Sequence, residues 1–148
     1  EDLKERVRGR NGIHHLSKLR NTRVTISTNR PGAADYFARV NEDRYGSTHP
    51  LVRTHPDTGR QALFISPRFT IGIEGMLDSE AQPLLDKLFA FMEDERFHYR
   101  HKWHDNDLVM WDNRCLNHRA CGGYTLDDLR RLHRTCVCGD RSFYRAVA

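Results

Sequence analysis

One histidine and two arginines near the C-terminus have the residue types and spacing of a small-molecule site. His118 lies at the end of the stretch DLVMWDNRCLNHRA (residues 107–120), just past an apolar run and an Asp-Asn-Arg turn. A neutral imidazole in such a place is available as a metal ligand. Arg130 follows 12 positions later and Arg134 four after that. On a strand, residues i and i+4 share a face, so Arg130, Leu132, Arg134, Cys136 and Cys138 would line one side. The two arginine Cα atoms would then be roughly 13 Å apart, at about 3.3 Å per residue. Arginines on an inward face are costly unless they meet anions, and a guanidinium matches a carboxylate through two parallel hydrogen bonds. The local chemistry reads as a metal-ligand histidine, an arginine for a carboxylate-bearing small molecule and a second arginine for a second anion. The alternative is that this face simply meets solvent.

A second cluster has the right letters in a less suitable place. His55-Pro56-Asp57 matches H-x-D, the usual first pair of a 2-His-1-carboxylate iron site. It sits in a Pro-Asp-Thr-Gly turn, whose tip is drawn toward solvent, and is not expected to bind metal. The pair His14-His15, and His49 and His55 ahead of prolines, are expected to be structural or on the surface. His98 and His101 are expected on opposite faces of a strand. Cys115, Cys121, Cys136 and Cys138 are spaced C-x5-C-x14-C-x-C, which is not a zinc-site spacing. Reduced thiols in a cytoplasmic protein are expected.

The elements that must position these groups follow from periodicity and turn chemistry. Residues 1–20 read as a helix with Leu3, Val7, Ile13, Leu16 and Leu19, interrupted at Gly9 and Asn11-Gly12. Residues 21–48 are polar and aperiodic, the character of a lid, a binding loop or a disordered segment. HPLVRTHPDTGRQALFIS reads as a hairpin: Leu51-Val52-Arg53 is one arm, Pro56-Asp57-Thr58-Gly59 the turn and 62–65 the return. A helix is expected from about Ser79 to Glu95. Ser79 and Gln82 suit a capping box, Pro83 falls in the first turn, and Leu84, Leu85, Leu88, Phe89 and Met92 make one apolar stripe. Three strand-like runs follow, at 96–103, 107–113 and 129–138, the first two joined by a turn at 104–106. Short strands, turn signals and a covering helix suggest part of a β-sandwich or jelly roll.

Length and composition bound the class. At 148 residues the chain is the size of one domain. It is 38% hydrophobic and 30% charged, with a mean hydropathy of −0.75 and a pI near 9.1. No apolar run approaches the roughly 20 residues of a membrane span, and the N-terminus shows no signal-peptide pattern. The net charge of +4 is spread among interspersed acids and bases, without the basic, aromatic-lined groove of a nucleic-acid binder. The lack of an initiator Met leads to the expectation that the chain is trimmed or cut from something longer.

Three blocks in order, HPLVRTHPDTGRQALFIS, DLVMWDNRCLNHRA and LRRLHRTCVCGD, resemble the C-terminal half of the taurine dioxygenase / 2,4-dichlorophenoxyacetate dioxygenase family, over about residues 47–141. The family consists of Fe(II)- and 2-oxoglutarate-dependent oxygenases. The resemblance implies a mainly β fold with flanking helices, a double-stranded β-helix or jelly roll, here incomplete, with residues 1–148 as a single domain. It implies that His118 is the distal iron-ligand histidine and that Arg130 holds the far carboxylate of 2-oxoglutarate. It also implies that Arg134 meets the anionic group of the substrate, and that Trp111 lies close to the metal pocket. The gap from His118 to Arg130 is one residue longer than in the taurine enzyme, which leaves Arg131 as a rival for Arg130. The family's H-x-D ligands precede the distal histidine by well over 100 residues, so in this chain they are expected to be missing and turnover absent. The implied reaction hydroxylates a small, anionic organic substrate with O2; no nucleic acid or membrane partner is expected, and self-association is compatible with the reading. The competing expectation is a non-catalytic jelly-roll remnant serving as a packing or dimerisation module.

Overall fold

The computed structural model describes residues 2–15, 46–123, 125, 127, 131–139 and 141–146. Helix α1 spans Asp2–Val7, and β1 (Asn11–His14) follows it. Among the described residues the helix expected over 1–20 therefore ends at Val7; positions 16–20 of it, and 21–45 of the expected loop, lie outside them. Gly9 takes φ +70°, which turns the chain, and residues 11–14 pair as a strand. The strand forms because both its edges are taken: β1 lies between β2 (Ser47–Pro50) and β5 (Thr70–Ile73), antiparallel to each. Gly12 sits opposite His49 and Ile73. A Cβ there would come 2.8 Å from Leu51 Cδ2, and Leu51 is fully buried, so the close approach of these strands requires glycine.

The expected hairpin is present. Strand β3 (Val52–Thr54) pairs with β4 (Gln61–Leu63), with Arg53 opposite Ala62. The turn closes through His55 N–H to the Arg60 carbonyl at 2.8 Å and Gly59 N–H to the His55 carbonyl at 2.9 Å. Gly59 takes φ +69°, the conformation that favours glycine.

Helix α2 runs Asp78–Met92, starting one residue before the expected position and ending three short of it. The capping box does not form. Leu77 is the N-cap without a side-chain bond, and Gln82 Nε2 instead donates to the Ile71 carbonyl at 2.7 Å, tying the helix to β5. Asp78 and Glu80 favour the helix start through its dipole. Pro83 is the sixth helical residue rather than in the first turn; the Ser79 carbonyl it leaves unbonded belongs to an exposed residue and can be hydrated. Ala81, Leu84, Leu85, Leu88 and Phe89 are buried and join Val7, Leu51, Ile65 and Ile73 in one core, with Met92 packed at its edge.

Beyond a 3-10 turn at Glu95–Phe97 the described residues form no ladder. The strands expected at 96–103 and 107–113 are absent, and the described residues 131–138 of the third are exposed and irregular. The turn at 104–106 is real: Asp107 N–H bonds the His104 carbonyl at 3.2 Å and Asn106 takes φ +70°. His101 Nε2 and Asp107 Oδ2, 3.1 Å apart, join the first two segments, and the C-terminal residues are held to the hairpin. Thr54 N–H donates to the Phe143 carbonyl and Arg145 N–H to Thr54 Oγ1, both at 2.9 Å. Among the described residues no helix is long and apolar enough to cross a membrane.

Candidate functional site

His118 is approached through a turn fastened at several points. Asp112 begins it: its carbonyl accepts from Cys115 and Leu116 N–H at 3.3 and 3.0 Å. Its carboxylate accepts from Arg114 N–H at 2.8 Å and from the Arg114 guanidinium at 2.8–3.0 Å. The same guanidinium reaches Asp57 Oδ2 on the hairpin tip at 2.8 Å. Arg114 first, and His55 second, hold the Asp112 carboxyl well below the usual carboxylate range, while Asp112 and Asp57 hold the Arg114 guanidinium still more firmly charged than usual.

His55 lies at the centre of this arrangement. Its Nδ1 accepts from the N–H groups of Asp57 and Thr58, each at 3.3 Å. That leaves the ring proton on Nε2, which donates to Asp112 Oδ2 at 3.0 Å. Both nitrogens are thus committed, and Asp57 is committed to Arg114. His55-Pro56-Asp57 fastens the turn and does not form an H-x-D ligand pair. His55 Nε2, an Asp112 oxygen and Cys115 Sγ do lie within 4.8 Å of one another, a grouping that could hold a metal. The Arg114 charge on Asp112 and the Nε2 proton both oppose a cation there.

Past the turn, Asn117 Nδ2 donates to the Ile65 carbonyl at 3.1 Å and approaches Met92 Sδ at 3.1 Å, so the residue before His118 is tied to the core. His118 itself is exposed. Its ring packs on Trp111 with centroids 4.7 Å apart and planes at 50°, and Trp111 Nε1 is steadied by Asn113 Oδ1 at 2.8 Å. No hydrogen bond to another described residue occupies a His118 ring nitrogen, so the imidazole suits coordination as one ligand.

Of the three arginines, two fall among the described residues. Arg134 is exposed, its Nε directed to Cys136 Sγ at 3.2 Å; Arg131 is exposed as well. Arg130 lies outside the described residues. The shared strand face expected for Arg130 and Arg134 does not form over 131–138. The four cysteines are free and exposed. His101 faces Asp107 at 3.1 Å and Trp103 edge-on at 4.8 Å, a local packing role away from any strand. Sequence reasoning missed Asp112, Arg114 and Asn117 as the groups that place His118. The Asp-Asn-Arg triplet and the Pro-Asp-Thr-Gly turn are their only local signals.

The comparisons with known proteins bear on this geometry. The sequence profile of the family described as taurine catabolism dioxygenase TauD, TfdA matches residues 1–136. An alpha-ketoglutarate-dependent 2,4-dichlorophenoxyacetate dioxygenase of Cupriavidus pinatubonensis is 34% identical over 139 residues, covering 94% of this chain and 45% of that protein. An (S)-phenoxypropionate/alpha-ketoglutarate-dioxygenase of Sphingobium herbicidovorans is 32% identical over 150 residues, covering 100% of this chain and 50% of that protein. A taurine dioxygenase crystal structure from Burkholderia xenovorans superposes with a TM-score of 0.56 at 29% identity, over 77% of this chain and 32% of that one. The chain spans half or less of the length of these relatives. The short strands and few helices are consistent with a jelly roll of this kind.

Proposed function

Since the chain belongs to the taurine catabolism dioxygenase TauD, TfdA family, we propose that it is the C-terminal, single-domain part of an incomplete jelly roll from an Fe(II)- and 2-oxoglutarate-dependent dioxygenase that hydroxylates a small, anionic organic substrate. The observation that carries the reading is the continuous family match over residues 1–136, which includes His118. Relatives over this span bear alpha-ketoglutarate-dependent dioxygenase names.

In this reading His118 supplies one imidazole to the iron, Arg130 binds the far carboxylate of 2-oxoglutarate, and Arg134 meets the substrate anion. Bound iron with 2-oxoglutarate and O2 supplies the oxidative chemistry. What the chain contributes is placement. The fastened 112–117 turn fixes the approach to His118, and Trp111 limits the ring's rotation and shields one side of it from water. The remaining iron ligands come from outside this chain, because His55 and Asp57 are engaged with Asp112 and Arg114.

The chain alone is therefore expected to release no succinate from 2-oxoglutarate above free iron. A longer polypeptide that includes the H-x-D ligands is expected to do so and to lose that activity in His118→Ala. Arg130→Gln there should raise the 2-oxoglutarate requirement strongly, whereas Arg134→Gln should act on the primary substrate and spare uncoupled decarboxylation. Turnover by the 148-residue chain itself, abolished by His118→Ala, would overturn the assignment of the missing ligands. An iron-loaded longer polypeptide that consumes no 2-oxoglutarate would overturn the function.

A further inference from the structure

A positive group lies buried among residues that play no part in the His118 turn. Arg53 on β3 is only 7% exposed, and its Nε has no hydrogen-bond partner. Its Cζ lies 5.2 Å from the centre of the Phe64 ring. A cation–π contact offsets only part of the cost of removing a guanidinium from water. Two imidazoles and a hydroxyl lie close by. The His49 ring lies 5.5 Å from the same Phe64 ring, and its Nδ1 is 2.8 Å from Ser142 Oγ. His14 lies 5.3 Å from His49, and its buried Nε2 is likewise unpartnered. Burial first, and then the charges of Arg53 and Arg141, lower the His49 pKa from its ordinary value, which places both arginines within electrostatic reach of that ring. Among the described residues no carboxylate pairs with Arg53, His49, His14 or Arg141. Strand β3 and the 141–146 segment run side by side, so these groups converge from two directions.

We propose that Arg53, His49 and Ser142, with Arg141 at the rim, form a binding site for a small oxyanion. A buried guanidinium with no counter-charge among the described residues is matched by a group that carries negative charge on two or more oxygens and can accept from its fork. Phosphate and carboxylate share that chemistry. The site draws on β2, β3 and the C-terminal segment, and it stands whether or not His118 binds iron.

The test titrates the 148-residue chain with inorganic phosphate and, separately, with acetate, at constant ionic strength set by chloride. Histidine ring resonances are followed by NMR and Tm by calorimetry. The expected result is a saturable shift of the His49 resonances and a Tm that rises with anion concentration. Arg53→Met should weaken binding about tenfold or more, the loss of a charge-assisted hydrogen bond, and the exposed Arg141→Ala less. A response to phosphate alone would assign a tetrahedral anion, and a response to acetate alone a carboxylate. The proposal is overturned if neither anion moves His49 saturably, or if Arg53→Met responds like the parent. Should Arg53→Met fail to fold, Arg141→Ala and His49→Gln carry the comparison, and unchanged affinity in both overturns it.

Discussion

Asp112 is the residue on which the His118 turn depends most, because its one carboxylate receives Arg114 and His55 together. Asp112→Asn keeps the size and removes the charge, so it should lower Tm at neutral pH. The carboxyl lies well below its ordinary 3.8 in the folded chain. Its contribution is therefore complete above the unfolded value and is lost only as pH falls through the lower folded one. The Tm gap between parent and variant should persist at pH 5 and narrow below about pH 4; a gap already closed at pH 5 would mean that the pairing is not formed. His14 works in the opposite chemical sense. Burial first, then the neighbouring His49, push its pKa from 6.5 down to about 4. Below pH 6.5 the unfolded chain takes up a proton that the folded chain refuses, so stability should decline from pH 6.5 to about 4 and then level off for this group. Urea unfolding of the parent against His14→Leu across that window checks this, with the shallower slope expected in the variant.

At the scale of elements, α2 is what holds the described core together. Leu88 is 4% exposed, and Leu88→Ala should cost about 2–5 kcal/mol, measured by urea unfolding; a change under about 0.5 kcal/mol would mean that the helix is not docked. This helix and the β3–β4 hairpin were legible because their signals are local: an apolar stripe at helical spacing, and a Pro-Asp-Thr-Gly turn between apolar arms. Strand β1 was not, since Gly12 and His14 carry no strand pattern and only the neighbours on both edges hold it extended. The runs at 107–113 and 131–138 failed the other way. Their residue types suit strands, but a ladder needs a partner strand, and Leu108, Met110 and Val137 are 88%, 87% and 95% exposed. The site divides similarly. His118 and its closeness to Trp111 followed from the family resemblance, whereas the His55–Asp112 bond joins residues 57 positions apart, a pairing no local spacing reveals.

Among the described residues, the packed part is 2–15 and 46–97, and the others lie against it. Exposed Tyr99, Leu108, Met110 and Val137 should make the native chain bind a hydrophobic dye and associate at high concentration. Replacing Leu108, Met110 and Val137 by Ser should reduce both with little change in Tm, as scattering and dye fluorescence would show; an unchanged dye signal would mean that these side chains are covered in solution. The cross-connections to the hairpin have a topological consequence. His55 to Asp112, Asp57 to Arg114, Asn117 to Ile65, His49 to Ser142 and Thr54 to Arg145 all join the C-terminal third to residues before 70, whereas the exposed turn around Asn106 is closed by local bonds from Asp107 to His101 and His104. A protease nick in that turn would leave two polypeptides still gripping each other, so the chain is divisible there into complementary pieces.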